Sequence, residues 1–246
     1  MSNDPRPTQL PAALSDLPPS CHYIPNFLTA AEEAQILSQI GATPAARWTS
    51  LSHRRLLSLP SSLSGTAGDT LIAAPLPAYL CSPVLPRFGE LGLLTDAPHG
   101  APNHVLINEY RPGQGIMPHE DGPAYFPCTA TVSLGAAIVL DVYAKNDEGE
   151  REPRPRPRWR ILQEPRSLLV TSGRMYTETL HGIDGVTVDE GLDEAGIANW
   201  AVLGDWESYA ALEARRLDRE VRVSLTYRDV VKVAKVGGAM RFLGKR

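Results

Sequence analysis

A chain of 246 residues, 43% of them hydrophobic, is long enough to bury the core of one β-rich domain, and no run in it approaches the length of a membrane span. Lys and Arg total 24 against 28 Asp and Glu, so the net charge of −4 excludes the long-range pull on polyanions that a strongly basic domain exerts, and any nucleic-acid contact has to be local. Cys21, Cys81 and Cys128 are widely spaced with no C-x-x-C step, which argues against a disulfide framework and a thiolate zinc site and makes a reducing, cytoplasmic or nuclear setting the expectation.

Residues 1–25 carry Pro5, Pro7, Pro11, Pro18, Pro19 and Pro25, each without an amide donor, and read as an irregular, mostly extended leader that lacks the apolar core of a secretory signal. Thr29 with Glu32 three residues on is a capping box, and Ala30 to Gln39 reads as a helix that Gly41 stops, with Ile36, Leu37 and Ile40 as its buried stripe. Trp48 to Pro60 alternates loosely as a strand or hairpin and leads into a Ser- and Gly-rich loop over 60–70. Pro77 to Leu94 suits a helix around Tyr79, Leu80, Val84, Leu85 and Phe88, interrupted by Pro83 and Pro86.

Strand-like runs then follow one another: His104 to Tyr110, Thr129 to Leu134, Ala137 to Tyr143, Trp159 to Leu162, Ser167 to Thr171, Tyr176 to His181 and Val221 to Tyr227. Short strands separated by Gly and Pro turns predict an antiparallel sandwich or barrel. Lys145 to Arg158 is a charged, proline-rich loop, and 184–220 is a long insertion with a helix expected near Trp206 to Arg219. No internal repeat is present.

His119 and Asp121 stand two apart beside glycines and prolines. Alternate side chains of a strand project to one side, so both can reach one point while Glu120 turns away. His181, far downstream, ends another strand-like run. Two imidazoles and one carboxylate are the set that leaves half of an octahedral Fe(II) shell open. The same ligand types suit zinc, and an isolated H-x-D step also occurs in solvated loops. The remaining histidines, His22, His53, His99 and His104, have no carboxylate two residues away and read as structural or surface groups.

In the last strand Arg222, Ser224, Thr226 and Arg228 share one face, and Val223, Leu225 and Tyr227 the other. If the polar face turns inward, its guanidinium groups call for an anion; a half-exposed strand with that face in water accounts for the pattern equally well. Asn108 and Tyr110 form a second polar pair on one strand face.

Three motifs resemble the AlkB-type Fe(II)/2-oxoglutarate dioxygenases: N-x-Y-x-P-G-x-x-I-x-P-H-x-D-G-P-x-Y from Asn108 to Tyr125, L-H-G-I from Leu180 to Ile183, and R-x-S-L-T-Y-R from Arg222 to Arg228. The run P-H-E-D-G-P-A-Y-F-P is most similar to the sixth AlkB homologue group, and the likeness spans roughly 103–229. It implies a mainly β fold with flanking helices (α+β) and a double-stranded β-helix, or cupin-like jelly-roll, core. The whole of 1–246 would be one domain, with leader 1–25, a helical and lid-like extension 26–102, the core 103–229 and a basic tail 230–246. The resemblance further implies iron held by His119, Asp121 and His181, 2-oxoglutarate bound by Asn108, Tyr110, Arg222, Ser224 and Arg228, and O2 as the third reactant. Ser224 stands where the bacterial prototype carries Asn, the stretch from His181 to Arg222 is longer than in the prototype, and the lid region is loosely matched.

The activity so implied is oxidative demethylation of N-methylated, single-stranded DNA or RNA. Tyr125 would stack on an extruded base, with Phe126 a second candidate, and Arg54, Arg55, the Arg151 to Arg160 cluster and the tail from Lys232 to Arg246 would supply local positive charge. Solvated surface explains the same charges. Two other readings stay open: oxidation of a protein side chain by the same chemistry, and a nucleic-acid-binding module that turns over little. No membrane partner is expected, and a monomer is the default.

Overall fold

The structure, a computed structural model, describes residues 7–145 and 156–235. The elements begin with β1 (Cys21–Ile24), α1 (Ala30–Gly41), β2 (Thr49–Leu51), β3 (Arg54–Leu59), β4 (Thr70–Ile72), α2 (Ala78–Cys81) and α3 (Val84–Glu90). The centre holds β5 (His104–Tyr110), β6 (Ile116–His119), β7 (Cys128–Leu134), β8 (Ile138–Ala144), β9 (Trp159–Gln163), β10 (Leu168–Ser172), α4 (Gly173–Thr177) and β11 (Thr179–Ile183). Last come β12 (Val188–Asp189), α5 (Trp206–Ala210), β13 (Leu217–Asp218), β14 (Arg222–Arg228) and β15 (Lys232–Ala234).

Seven strands form a large sheet in the order β1-β10-β7-β14-β5-β3-β2, and four form a small one, β6-β11-β8-β9. Pairing in both is antiparallel and mostly between strands distant in sequence. This is the jelly-roll core with flanking helices, and strict period-2 alternation builds it. Val223, Leu225 and Tyr227 of β14, Val105 and Ile107 of β5, and Ala130 and Val132 of β7 enter one core with Ile36, Ile40, Leu80, Val84 and Phe88 of the helices. Tyr227 meets Phe88 edge to face at 5.1 Å and donates its hydroxyl to Leu80 O at 2.9 Å. The residues between them, Arg222, Ser224, Thr226 and Arg228, face the small sheet across a cavity. A second core, including Ile138, Val142, Ile161 and Leu162, packs the small sheet.

Helix α1 carries both arms of its capping box: Glu32 N donates to Thr29 Oγ1 at 3.2 Å, and Thr29 N to Glu32 Oε2 at 2.8 Å. Ile36 and Ile40 are buried as the stripe predicts, while Leu37 is half-buried at its margin.

Five expectations need correction. The leader is not irregular throughout, because Cys21–Ile24 forms β1, the strand that covers the edge of β10, and Leu14 and Leu17 are buried beside it. The helix over Pro77 to Leu94 splits in two at Pro83, and Pro86 is tolerated because it lies in the first turn of α3, where amides have no helical acceptor. The run from Tyr176 is α4 first and only then β11, whose extent follows its pairing with β8. In the insertion, α5 ends at Ala210 and residues 217–218 pair as strand with β12. Within the tail, Lys232–Ala234 pairs in parallel with β4. Residues 236–246 of that tail and 146–155 of the Arg- and Pro-rich loop lie outside the described residues. No helix among the described residues is long and apolar enough to cross a membrane.

Candidate metal and cosubstrate site

A cavity of about 250 Å³ lies between the two sheets. The ladder between β6 and β11 sets its chemistry, for His119 and His181 are direct cross-strand partners in it. Their ring centroids are 4.4 Å apart, and one ligand atom from each of His119, His181 and Asp121 lies within 4.8 Å of the others. The close approach of these strands favours glycine opposite Pro118: a Cβ on Gly182 would stand 3.0 Å from Ile116 O and from Pro118 N, so the β6 backbone would have to give by a few tenths of an ångström.

His119 Nδ1 is 2.9 Å from Met117 O. A carbonyl only accepts, so the proton sits on Nδ1 and Nε2 keeps its lone pair. Burial lowers the pKa of both imidazoles, that of His181 to about 4, so both are neutral bases near pH 7. Burial alone would raise the Asp121 carboxyl, but the Arg228 guanidinium and the two imidazoles outweigh it and hold the group below the ordinary carboxylate range. Arg228 Nη2 lies 2.8 Å from Asp121 Oδ1, and Thr129 Oγ1 donates to Oδ2 at 3.0 Å. Two neutral nitrogen bases and an ionised carboxylate converging on one point fit a divalent transition metal.

Arg222, in the same cavity, is 2% exposed. Its Nε donates to Ser133 Oγ at 3.0 Å and its Nη2 to Gln163 Oε1 at 2.7 Å, and the Tyr110 ring lies 5.8 Å beneath it. Burial lowers its pKa to about 10, which leaves it charged. It makes no ion pair among the described residues, so a buried cation is held by neutral groups alone. A carboxylate ligand would satisfy it.

Of the residues expected from the sequence, Asn108, Tyr110, Arg222, Ser224 and Arg228 all line this cavity with His119, Asp121 and His181, and so do Tyr125 and Arg54. Tyr125 lies under the Arg228 guanidinium at 4.6 Å. Arg55 is a correction: it lines no part of the cavity. One position from Arg54 on β3, it turns to the helix side, pairs with Glu109 and stacks over Trp48 at 4.2 Å. Phe126 packs against the helix-side core. Arg158 lies over the ring of its neighbour Trp159. Sequence reasoning passed over Thr129, Ser133, Gln163 and Tyr176. The first two stood in plain view as the polar members of an alternating strand, whereas nothing in the sequence marked Gln163 or Tyr176 as neighbours of the site.

A jelly roll with two histidines paired across one ladder, a carboxylate just beyond it and a buried arginine in the same cavity has the form of a metal-dependent oxygenase. The model of the 2OG-Fe(II) oxygenase superfamily matches residues 20–228, and the chain belongs to that family, whose oxidoreductases work with Fe(II), 2-oxoglutarate and O2. Its AlkB-like character rests on a zebrafish (Danio rerio) relative named Probable RNA/DNA demethylase ALKBH6, 37% identical over 238 residues that cover 95% of this chain and 94% of that one. A Xenopus tropicalis protein named tRNA (carboxymethyluridine(34)-5-O)-methyltransferase alkbh8 is 30% identical over 71% of this chain but only 27% of its own. Among solved structures, that of OsALKBH1 matches with a TM-score of 0.54 at 16% identity, covering 87% of this chain and 98% of that one, and shows the shared fold.

Proposed function

We propose that the protein is an Fe(II)- and 2-oxoglutarate-dependent oxidative demethylase of N-methylated nucleic acid, DNA or RNA. The observation that carries the reading is the convergence of His119, Asp121 and His181 in one cavity with the unpaired Arg222. It stands in a chain that aligns almost end to end with a zebrafish relative named Probable RNA/DNA demethylase ALKBH6.

In this reading His119 through Nε2, Asp121 and His181 hold Fe(II). Arg222 takes a carboxylate of 2-oxoglutarate, with Ser224, Tyr110, Asn108 and Arg228 beside it. Ser133 and Gln163 hold the Arg222 guanidinium before the cosubstrate arrives, which lowers the cost of ordering it. Arg228 fixes the Asp121 carboxylate and presents the Tyr125 ring, on which an extruded base can stack. Iron, when bound with 2-oxoglutarate and O2, supplies the oxidation that yields succinate and CO2 and places one oxygen in a substrate C–H bond. On an N-methyl group the resulting hydroxymethyl breaks its C–N bond, releasing formaldehyde and the unmethylated base.

Aerobic incubation with iron, ascorbate and 1-labelled 2-oxoglutarate, against a panel of N-methylated oligonucleotides and methylated peptides, tests this reading. Labelled CO2 and formaldehyde in equal amounts from an oligonucleotide are expected. Formaldehyde from peptides alone would reject nucleic acid as the substrate.

A further inference from the structure

Two adjacent arginines open β3, and the pleat sends them to opposite sides of the sheet. Arg55 is neutralised on the helix side by Glu109. Arg54 lines the cavity, half-buried, and its Nε donates to Asn108 Oδ1 at 3.1 Å. Its terminal nitrogens make no hydrogen bond or ion pair to any described residue. Of the other charged side chains on the cavity wall, Arg228 is matched by Asp121, and Glu120 by Lys145 at 2.7 Å. Arg222 is the arginine assigned above to the cosubstrate. Arg54 is the cavity cation that neither a described acid nor that assignment engages, on the wall of the space the reacting group must enter.

We propose that Arg54 binds a phosphodiester of the substrate beside the nucleotide whose base enters the cavity. This assignment rests on the nucleic-acid reading and narrows it: the site takes a phosphate-bearing strand in preference to a nucleoside or an uncharged peptide. A guanidinium anchored through Nε keeps its planar fork oriented and leaves two donors for a bidentate contact to phosphate. The contact to Asn108 has an unambiguous direction, because a guanidinium only donates. The amide oxygen is therefore committed to Arg54, and the amide nitrogen remains for the cosubstrate. With a net charge of −4 the molecule exerts no general attraction for polyanions, so a single cation in the cavity weighs heavily in affinity.

The test is binding of a fluorescent, N-methylated single-stranded oligonucleotide to the full chain, with Fe(II) and 2-oxoglutarate under anaerobic conditions, across a salt series. The wild type, Arg54→Gln, Arg54→Lys and the neighbouring control Arg55→Gln are compared, and wild-type formaldehyde release from the same oligonucleotide is measured in air. Arg54→Gln is expected to weaken binding about tenfold and to lower the slope of log K against log salt by about 0.7, the value for one phosphate of a single strand. Arg54→Lys restores most of the slope, and Arg55→Gln changes neither quantity. If Arg54→Gln binds as the wild type does while the wild type releases formaldehyde, the phosphate assignment falls and the demethylase reading stands. If the wild type neither binds nor releases formaldehyde, both fall. A raised KM for 2-oxoglutarate in Arg54→Gln with unchanged oligonucleotide affinity would make Arg54 a positioning residue for Asn108 and overturn the proposal.

Discussion

Asp121 and Arg222 illustrate two ways of burying a charge, and they respond differently to substitution. Asp121 is compensated on both oxygens, by Arg228 at 2.8 Å and by Thr129 at 3.0 Å. Asp121→Ala removes the one carboxylate from the candidate ligand triad and strands a buried guanidinium, whose Nε already has no hydrogen-bond partner. Stability should fall by about 3 kcal/mol, the usual cost of breaking a buried pair from one side, and bound iron should drop to a trace by metal analysis of the purified protein. Unchanged iron stoichiometry would remove Asp121 from the ligand set. Arg222, by contrast, has among the described residues only the neutral Ser133 and Gln163 as side-chain hydrogen-bond partners, with the neutral Tyr110 ring beneath it. Arg222→Met fills similar volume and removes a charge to desolvate, but it leaves the buried Ser133 hydroxyl and Gln163 amide oxygen without their donor, so the unfolding temperature should stay close to that of the wild type or fall slightly. Added 2-oxoglutarate, which should raise the melting temperature of the wild type by mass action, should leave that of the variant unmoved. A variant still stabilised by 2-oxoglutarate would show that the cosubstrate is held elsewhere.

At the scale of the element, the β6–β11 ladder decides whether two imidazoles that are distant in sequence meet. Gly182, between His181 and Ile183, lets the backbone of β6 approach to a separation that a Cβ would crowd, at 3.0 Å from Ile116 O and Pro118 N. In Gly182→Ala the new methyl presses on Ile116 O and Pro118 N, and the strand that carries His119 has to move away from His181. Iron affinity should fall about tenfold to a hundredfold, the range seen when groups that support metal ligands are disturbed, while the far-ultraviolet circular dichroism stays the same. Equal iron affinity in the two proteins would mean that the ladder tolerates the shift. What could be read of such elements in the sequence depended on how they are buried. β14 was legible almost to the residue because it has one apolar face on the helix-side core and one polar face on the cavity along its full length, and β5 because its alternation is broken only by Leu106 on the cavity side and Glu109 on the helix side. The same alternation separates Arg54 from Arg55, but assigning each to its face required knowing which side of β3 meets the helices. β1 was hidden among prolines because a four-residue edge strand is defined by the partner it covers, not by its own period. Gln163 touches Arg222 through sheet packing between β9 and β14, a contact between two different sheets that no local pattern encodes.

At the scale of the molecule, the insertion between β11 and β14 folds against the sheets, and its attachment has an electrostatic cost. Asp189 is held by Arg219 through two hydrogen bonds of 2.8 and 2.6 Å, both groups being 3% exposed. Glu164 takes the amides of Gly204 and Asp205 together with the hydroxyl of Tyr23. Asp141 fares worse. It follows Leu140, which lines the cavity, and so turns to the other face of β8, where it is buried with Oδ1 making no hydrogen bond. Arg160 Nε is its nearest ion partner, at 3.4 Å. Burial, then the negative charges of Asp184 and Asp189, outweigh Arg160 and raise the Asp141 carboxyl to about 6. Its ordinary value is about 4, so between these limits the folded state binds more protons than the unfolded chain, and this group's contribution to stability declines as pH rises through 6. The decline is on the order of 3 kcal/mol, at about 1.4 kcal/mol for each unit of displacement. Asp141→Asn cannot ionise, so it should gain stability relative to the wild type as pH rises from about 4 to about 7, whatever the other carboxylates do in common to both proteins. Urea unfolding of the pair at pH 4.5, 5.5 and 7 reads that difference directly. A difference that stays constant across the three would mean that Asp141 is as acidic in the folded protein as in the unfolded one, and that Arg160 fully compensates it.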